Sequence, residues 1–310
     1  MSSSDNTRTV EVDGRTLTLS NLDKVLFPNG FTKGAVLDYY VRVAPVMLPH
    51  LAGRPVTLKR FPEGTSSEGF MEKNVPRHAP AWIRTAVLPR KGTGRGDRRS
   101  GRAGKDTTTF AVVDDLPTLV FMANLAAIEL HTPMWRLGDD GRPLSPDLIV
   151  FDLDPGQPAG IAECGEVAIR LRQRLAAEGI DLLAKTSGSK GLQCYGYVAS
   201  RGWTEGETTE LAHAVAEELE REDRELVVSR MAKALRPGKV LIDWSQNNPA
   251  KTTVAPYSLR GLERPAVSTP VSWEEVSRAA AGQLDLLGLT PSEVLERVER
   301  LGDLFAPLLG

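Results

Sequence analysis

The sequence predicts a protein of the α/β (α+β) class, and three observations predict it. Short apolar runs, residues 148–151 and 240–242, have the length of strands and stop on Asp or Pro-Gly punctuation. Residues 9–19 alternate on both sides of Asp13-Gly14, the signature of a β-hairpin with a tight turn. Between such segments lie stretches with helical apolar spacing that open on Thr or Ser caps.

The chain has 310 residues, enough for one large domain or two closely packed ones with a sizeable core. Its net charge of −2 is unevenly spread: residues 1–147 carry a balance of +4 and residues 148–310 one of −6. A polyanionic partner would therefore dock on a local basic surface built mainly from the N-terminal half. No apolar run reaches membrane-spanning length, and the first residues lack the charged and apolar regions of a signal peptide. Cys164 and Cys194 make neither a disulfide framework nor a zinc-ligand spacing. The expected location is the cytoplasm, with no membrane partner.

In chain order, the hairpin is followed by Thr32, which caps a helix carrying Val36, Tyr39, Tyr40 and Val43 on one face. Lys24 and Lys33 flank the loop before it. They are either solvated surface lysines or, beside helix N-terminal donors, holders of a phosphate. Residues 54–61 read as a strand ending in Lys59, Arg60 and Phe61, and residues 69–74 follow with Phe70, Met71 and Lys73. Cations interleaved with aromatics suit phosphate contact plus base stacking, and equally a core aromatic beside exposed charges. Residues 90–105 hold seven cations and one acid among many glycines. They are expected to form a mobile basic loop, serving a nucleic-acid backbone or merely solvated. Asp115-Leu116-Pro117 opens a helix predicted to run through Leu130, which leaves His131 as a C-terminal cap or a site residue.

Residues 160–178 form an amphipathic helix closed by Gly179, and residues 181–185 a short strand. After the small, hydroxylated turn at 186–191, Leu192, Cys194, Gly196 and Val198 share one strand face and Gln193, Tyr195 and Tyr197 the other. Thr204 with Glu207 starts an acidic helix to about Asp223, read as a solvated outer face. Capping boxes at Ser272/Glu275 and Thr290/Glu293 start two tail helices.

The chemistry centres on residues 148–156. Strand alternation sends Asp152 and Asp154 to one face and Leu153 to the other. Adjacent carboxylates repel unless a divalent cation lies between them, and hard oxygen ligands suit magnesium or manganese. A surface turn capped by aspartates is the alternative. Residues 240–242 end in the same way on Asp243. Backbone amides of the Gly-rich turn, with its Ser hydroxyls and Lys190, can grip a triphosphate. Neither G-x-x-x-x-G-K-[ST] nor G-x-S-x-G is satisfied. Three strand-end aspartates and a phosphate grip form the constellation of two-metal nucleotidyl transfer.

Four blocks carry a resemblance: Ser20-Asn21-Leu22-Asp23-Lys24-Val25-Leu26-Phe27-Pro28, Phe151-Asp152-Leu153-Asp154-Pro155-Gly156, Ser187-Gly188-Ser189-Lys190-Gly191-Leu192 and Ile242-Asp243-Trp244-Ser245-Gln246-Asn247. In this order they resemble the polymerase domain of bacterial DNA ligase D, of the archaeo-eukaryotic primase superfamily. The resemblance runs from the first hairpin to the C-terminal helices. It implies a primase-like fold with mixed and antiparallel sheets flanked by helices, residues 1–310 forming one catalytic domain with 1–8 disordered. With no ligase or nuclease module in the chain, a stand-alone enzyme is expected. The implied activity is template-dependent primase-polymerase action, filling short gaps and extending primers in non-homologous end joining. Ribonucleotides would be preferred, with two manganese or magnesium ions. The implied partners are gapped or broken DNA with a 5′ phosphate, NTP or dNTP, Ku and a separate DNA ligase, at a nucleoid-associated location.

By position in the family's pattern, Asp152, Asp154 and Asp243 would be the metal ligands and catalytic carboxylates. Ser187, Lys190 and Arg236 would hold the triphosphate, and Lys59 and His131 would line the nucleotide site. Gln246 and Arg260 fall on further polar groups of that site. Asn21, Lys24 and Lys33 match the pocket for the downstream 5′ phosphate, and Phe70 lies in the segment that stacks on template bases. Two departures stand out. Gln193 replaces the family's common His and can donate but not carry charge, so a weaker triphosphate grip is expected. Met71 stands where a second aromatic is common, which predicts less complete stacking. Two rival readings are an Asp-x-Asp manganese glycosyltransferase, which leaves Asp243 and the N-terminal lysines unexplained, and a non-catalytic DNA-end-binding module.

Overall fold

The computed structural model describes residues 6–89 and 107–310. The basic stretch expected to be a mobile loop at 90–105 lies outside the described residues.

The hairpin pairs β1 (Thr7–Val12) with β2 (Arg15–Ser20). Asp13 and Gly14 both take positive φ, 46° and 74°, as a tight turn of this hand requires. The strand begins at Thr7, so residues 7 and 8, expected to be disordered, are instead held by pairing to Ser20 and Leu19. Helix α1 (Lys33–Leu51) is capped by Thr32, whose side chain accepts from the Ala35 amide. There follow β3 (Pro55–Arg60), β4 (Phe70–Glu72), β5 (Thr85–Pro89), β6 (Thr107–Val112), helix α2 (Leu116–Asn124), β7 (Ala127–Thr132), β8 (Trp135–Leu137), β9 (Pro143–Pro146) and β10 (Leu148–Pro155). The second half contributes α3 (Ile161–Ala177), β11 (Leu182–Thr186), β12 (Leu192–Tyr197), α4 (Glu205–Glu222), β13 (Val227–Val228), β14 (Val240–Asp243), β15 (Thr253–Val254), β16 (Leu259–Arg260), β17 (Ala266–Val267), β18 (Pro270–Val271), α5 (Trp273–Ala280) and α6 (Pro291–Leu301).

Two sheets organise these elements. One runs in the order β13-β14-β10-β12-β11-β18, antiparallel except for the parallel β13–β14 pair. The other runs β15-β7-β3-β6-β5, with β4 added to β3. Helices α1 and α2 share a core with β3 and β7 that includes Tyr39, Tyr40, Met47, Leu119 and Leu130. Helices α3, α4 and α5 cover the first sheet through Val167, Leu171, Val215, Leu219 and Val276, packed on Phe151, Leu153 and Ile242.

The predicted helix through Leu130 is two elements. Helix α2 stops at Asn124, Ala126 turns the chain at a left-handed φ of 57°, and the rest is strand β7. Strand β7 is buried almost throughout, so its apolar run carries no period that separates strand from helix. His131 is therefore a strand residue and not a helix cap. Helix α4 also departs from the expected solvated face: Ala212, Val215, Ala216 and Leu219 are buried in the core.

A buried ion pair joins the two layers. Arg54, just ahead of β3 and only 2 % exposed, donates to Asp147 Oδ1 at 2.8 Å and Oδ2 at 2.5 Å, and to the Pro133 carbonyl at 3.1 Å. Asp147 leads directly into β10 and also accepts from Arg136 at 2.9 Å. Removing the guanidinium leaves a mostly buried carboxylate with one partner. Arg54→Ala should therefore lower unfolding stability by about 3–5 kcal/mol, as measured by urea denaturation.

Candidate active site

Strand β10 lies between β14 and β12, and register fixes what faces what. Asp152 stands opposite Asp243 on one side and Gln193 on the other, and Gln193 in turn stands opposite Lys185. Directly opposed residues share a sheet face with Cβ atoms about 4.5–5.5 Å apart. A lateral row Asp243–Asp152–Gln193–Lys185 thus crosses four strands, with Asp154 two residues along β10 on the same face. Burial, then the charges of Asp154 and Asp243, push the Asp152 carboxyl up to about 7, against the Gln193 hydrogen bond.

Each carboxylate has its own donors. Gln193 Nε2 donates to Asp152 Oδ1 at 3.1 Å. Asp243 accepts from Ser245 N at 3.0 Å, Ser245 Oγ at 2.5 Å and Gln246 Nε2 at 2.9 Å, with Lys251 Nζ 4.0 Å away. Lys190 Nζ lies 3.7 Å from Asp154 Oδ1. Among the described residues no three His, Cys, Asp or Glu side chains form a ready cation cage. The donor set, three carboxylates from adjacent strands with one held partly protonated by its neighbours, fits hard divalent cations.

A second cluster centres on Glu129, which is 1 % exposed. His131 Nε2 lies 2.9 Å from it, Lys59 Nζ 3.6 Å, Arg260 Nε 3.5 Å, and the Gly261 amide donates at 3.0 Å. Burial alone would raise the Glu129 carboxyl, yet the His131 bond and Arg260 hold it down at about 2. His131 is lowered from its ordinary value, first by burial, and Arg260 and Lys59 reinforce this against Glu129. Lys59, His131 and Arg260, predicted as nucleotide-site residues from distant parts of the chain, are thus gathered by one acid.

The Gly-rich turn connects the two clusters. Ser187 Oγ accepts from Ser189 N at 3.3 Å and Gly191 N at 3.2 Å, and Arg260 Nη1 donates to the Ser187 carbonyl at 2.6 Å. Gly191 packs so closely on β10 that a Cβ there would lie 1.9 Å from the Leu153 carbonyl oxygen. Arg236 lies where Gly156 packs on its carbonyl; its Nη2 donates to Met231 O at 2.7 Å, while its buried Nε has no hydrogen-bond partner among the described residues. Lys190 therefore stands beside Asp154, Arg260 is tied to the Gly-rich turn through Ser187, and Arg236 lends its backbone to Gly156 while its guanidinium turns to Met231.

The predicted 5′-phosphate residues form a separate group. Lys33 is 5 % exposed and donates to Ser20 O at 2.6 Å; burial, then Lys24 and Arg60, bring it down to about 8. Lys24 pairs with exposed Glu63 at 3.3 Å. Asn21 turns the chain at a φ of 54°, and its carbonyl accepts from the Lys24 amide at 3.0 Å. Arg60 lies 5.5 Å from the centre of the half-exposed Phe70 ring. Lys33 is coupled by charge to Lys24 and Arg60, and Arg60 in turn lies over Phe70. Phe61 sits between two glycines: a Cβ on Gly69 would lie 2.5 Å from its ring and one on Gly261 2.1 Å. A cavity of about 480 Å³, lined by Thr57, Met71, Lys73, Trp135, Pro249 and Thr252, adjoins the Glu129 cluster, because Thr57 stands opposite His131. The buried Thr57 hydroxyl has no hydrogen-bond partner among the described residues.

Sequence reasoning passed over Glu129, Lys185, Ser245 and Lys251. The Glu-x-His alternation of a strand would have exposed Glu129 had that stretch not been read as helix. Lys185 gave no signal beyond ending a short strand.

The raised Asp152 carboxyl has a consequence with a definite sign. An unfolded Asp ionises near pH 4 and this one at about 7. The folded state therefore binds the extra proton between these values, and this group's stabilisation is lost as pH rises through 7. With metal chelated, Asp152→Asn should remove a downward slope of up to about 1.4 kcal/mol per pH unit, seen by urea unfolding between pH 5 and 7.

Comparison with known proteins bears on the same geometry. Residues 32–305 match the family described as the LigD primase-polymerase domain. The chain is 42% identical over 291 residues to a multifunctional non-homologous end joining protein LigD of Mycolicibacterium smegmatis, covering 94% of this chain and 36% of that protein. It is 29% identical over 287 residues to a bifunctional LigD of Bacillus subtilis, covering 92% and 43%. The chain thus spans well under half the length of these relatives. A solved polymerase domain of Mycobacterium tuberculosis ligase D, in complex with DNA, superposes with a TM-score of 0.83 at 41% identity, covering 94% of this chain and 98% of that one. The carboxylate row and its basic surroundings therefore stand in a chain that belongs to the LigD primase-polymerase domain family, metal-dependent DNA-directed nucleotidyltransferases.

Proposed function

We propose that this chain, acting as one catalytic unit, extends a primer on a DNA template and fills short gaps that carry a 5′ phosphate during non-homologous end joining. The observation that carries this reading is the register that sets Asp243 across from Asp152, with Asp154 alongside and Lys190 at the strand end. Asp152, Asp154 and Asp243 would hold two divalent cations, manganese or magnesium, which supply activation of the 3′ hydroxyl and neutralisation of the triphosphate. Gln246 and Ser245 orient Asp243, while Ser187, Lys190, Arg236 and Arg260 receive the phosphates. In the reaction a bond forms between the primer 3′ oxygen and the α-phosphorus, and pyrophosphate leaves.

The preference for ribonucleotides finds support in His131. With Nε2–H donated to Glu129, the other ring nitrogen is an acceptor that a 2′ hydroxyl can satisfy. Lys24, Lys33 and Arg60 support a 5′-phosphate pocket: burial and the mutual repulsion of these cations lower Lys33, and a phosphate dianion would relieve that repulsion. The exposure of Phe70 and its position against Arg60 support stacking on a template base. Gapped or broken DNA and nucleoside triphosphates are the substrates in this reading, with Ku and a DNA ligase as partners. A glycosyltransferase needs neither Asp243 across from Asp152 nor this cation pocket. No helix among the described residues is long and apolar enough to cross a membrane.

Asp152→Ala and Asp243→Asn should each lower primer extension by about 10³-fold or more, assayed with a primer-template, nucleoside triphosphates and manganese. A wild type that adds no nucleotide under any metal or substrate condition would leave only the end-binding module. On a short gap, Lys24→Ala should reduce the preference for a 5′-phosphorylated over an unphosphorylated end about tenfold, the scale of one charge-assisted contact of 1.4 kcal/mol. Equal loss on both substrates would contradict the pocket.

A further inference from the structure

Lys185, on β11 next to the edge of the first sheet, is fully buried, where a charged amine is costly unless it is placed for a reason. Its Nζ donates to Gln193 Oε1 at 2.5 Å and to Ser268 Oγ at 2.6 Å, and it lies 5.5 Å from the centre of the Tyr195 ring. The Gln193 carboxamide has an acceptor end and a donor end. With Oε1 taken by Lys185, and approached by the Tyr195 hydroxyl at 3.4 Å, its Nε2 must face Asp152, to which it donates at 3.1 Å. An isolated Gln beside an ionised aspartate could also swing away to solvent. Here the amide is 4 % exposed and gripped from behind.

We propose that Lys185 is a positioning residue of the catalytic site: through Gln193 it fixes a hydrogen bond on Asp152 Oδ1 and so sets the carboxylate with Oδ2 left for a cation. The Lys185–Gln193–Asp152 line follows strand register across β11, β12 and β10, so backbone pairing sets its spacing. It also gives a reason why a neutral amide serves at position 193. The position needs one acceptor toward Lys185 and one donor toward Asp152, and either an amide or a neutral imidazole offers that pair. This inference rests on Asp152 being a catalytic carboxylate, as proposed above.

The experiment compares Lys185→Met, Gln193→Met, the double variant and Gln193→His with wild type and Asp152→Ala. Two readouts are used: primer extension, and binding of Mn²⁺ to the nucleotide-free protein followed by electron paramagnetic resonance. Lys185→Met and Gln193→Met should each weaken Mn²⁺ binding and slow extension by about 10–100-fold, and the double variant should be no worse than either, because one bridge is cut in both. Gln193→His should recover most of what Gln193→Met loses. Ser268→Ala, which removes the other anchor of Lys185 but not the bridge, should lower Tm while changing extension less than threefold. A folded Lys185→Met with wild-type Mn²⁺ binding and extension overturns the proposal, as do additive losses in the double variant. If Lys185→Met fails to fold, Gln193→Met decides: unchanged Mn²⁺ binding and extension overturn the bridge, and the stated loss with recovery by Gln193→His supports it. A fully active Asp152→Ala, in contrast, would remove the catalytic reading itself.

Discussion

Asp152 stands directly across from Asp243 in an antiparallel pair, with Asp154 on the same face, on a sheet whose opposite face is packed with Phe151, Leu153 and Ile242. None of the three can turn away, since a shift of one residue would expose the apolar set. Two unit charges at ~5 Å with an effective dielectric of ~20 repel by roughly 3 kcal/mol. A hydrogen bond to a charged group returns about 1.5–3 kcal/mol, so the donors on Gln193, Gln246 and Ser245 offset part of the strain and leave the rest. Burial first, and the charges of Asp154 and Asp243 with it, raise the Asp152 carboxyl to about 7. Metal, proton or nearby amine must answer this charge, and the surrounding residues are arranged around that need.

The Glu129 cluster is the inverse arrangement. There a single buried acid is surrounded by Lys59, His131, Arg260 and a backbone amide, and the excess is positive. Arg260 belongs to both neighbourhoods, since its other nitrogen holds the Ser187 carbonyl of the Gly-rich turn. A surplus of negative charge and a surplus of positive charge therefore meet at the same turn. A metal-bound triphosphate has the complementary distribution of charge.

What could be read from the chain without coordinates followed from local rules. The Asp13-Gly14 hairpin, the Thr32, Thr204, Ser272 and Thr290 caps and the alternation that pairs Asp152 with Asp154 each depend on a few adjacent residues. Strand β7 was misread because burial on both sides erases the period that marks a strand, and that error hid Glu129 while making His131 look like a cap. Lys185 was invisible for a different reason. A lysine at the end of a short strand is ordinarily solvated, and only the pairing of β11 with β12 and β18 closes it off. The four blocks of family resemblance placed the candidate residues, but not the hub and the bridge that hold them.

The Phe61 ring, clamped between Gly69 and Gly261, has a consequence for how this enzyme can move. Gly69 precedes the segment bearing Phe70, and Gly261 follows Arg260 and donates its amide to Glu129. With no side chain on either glycine, both segments rest directly against one aromatic ring. Because both backbones touch the same ring, close packing leaves little room for either to shift alone. The segment bearing Phe70 and the one bearing Arg260, far apart in sequence, are thus joined through a single packed contact.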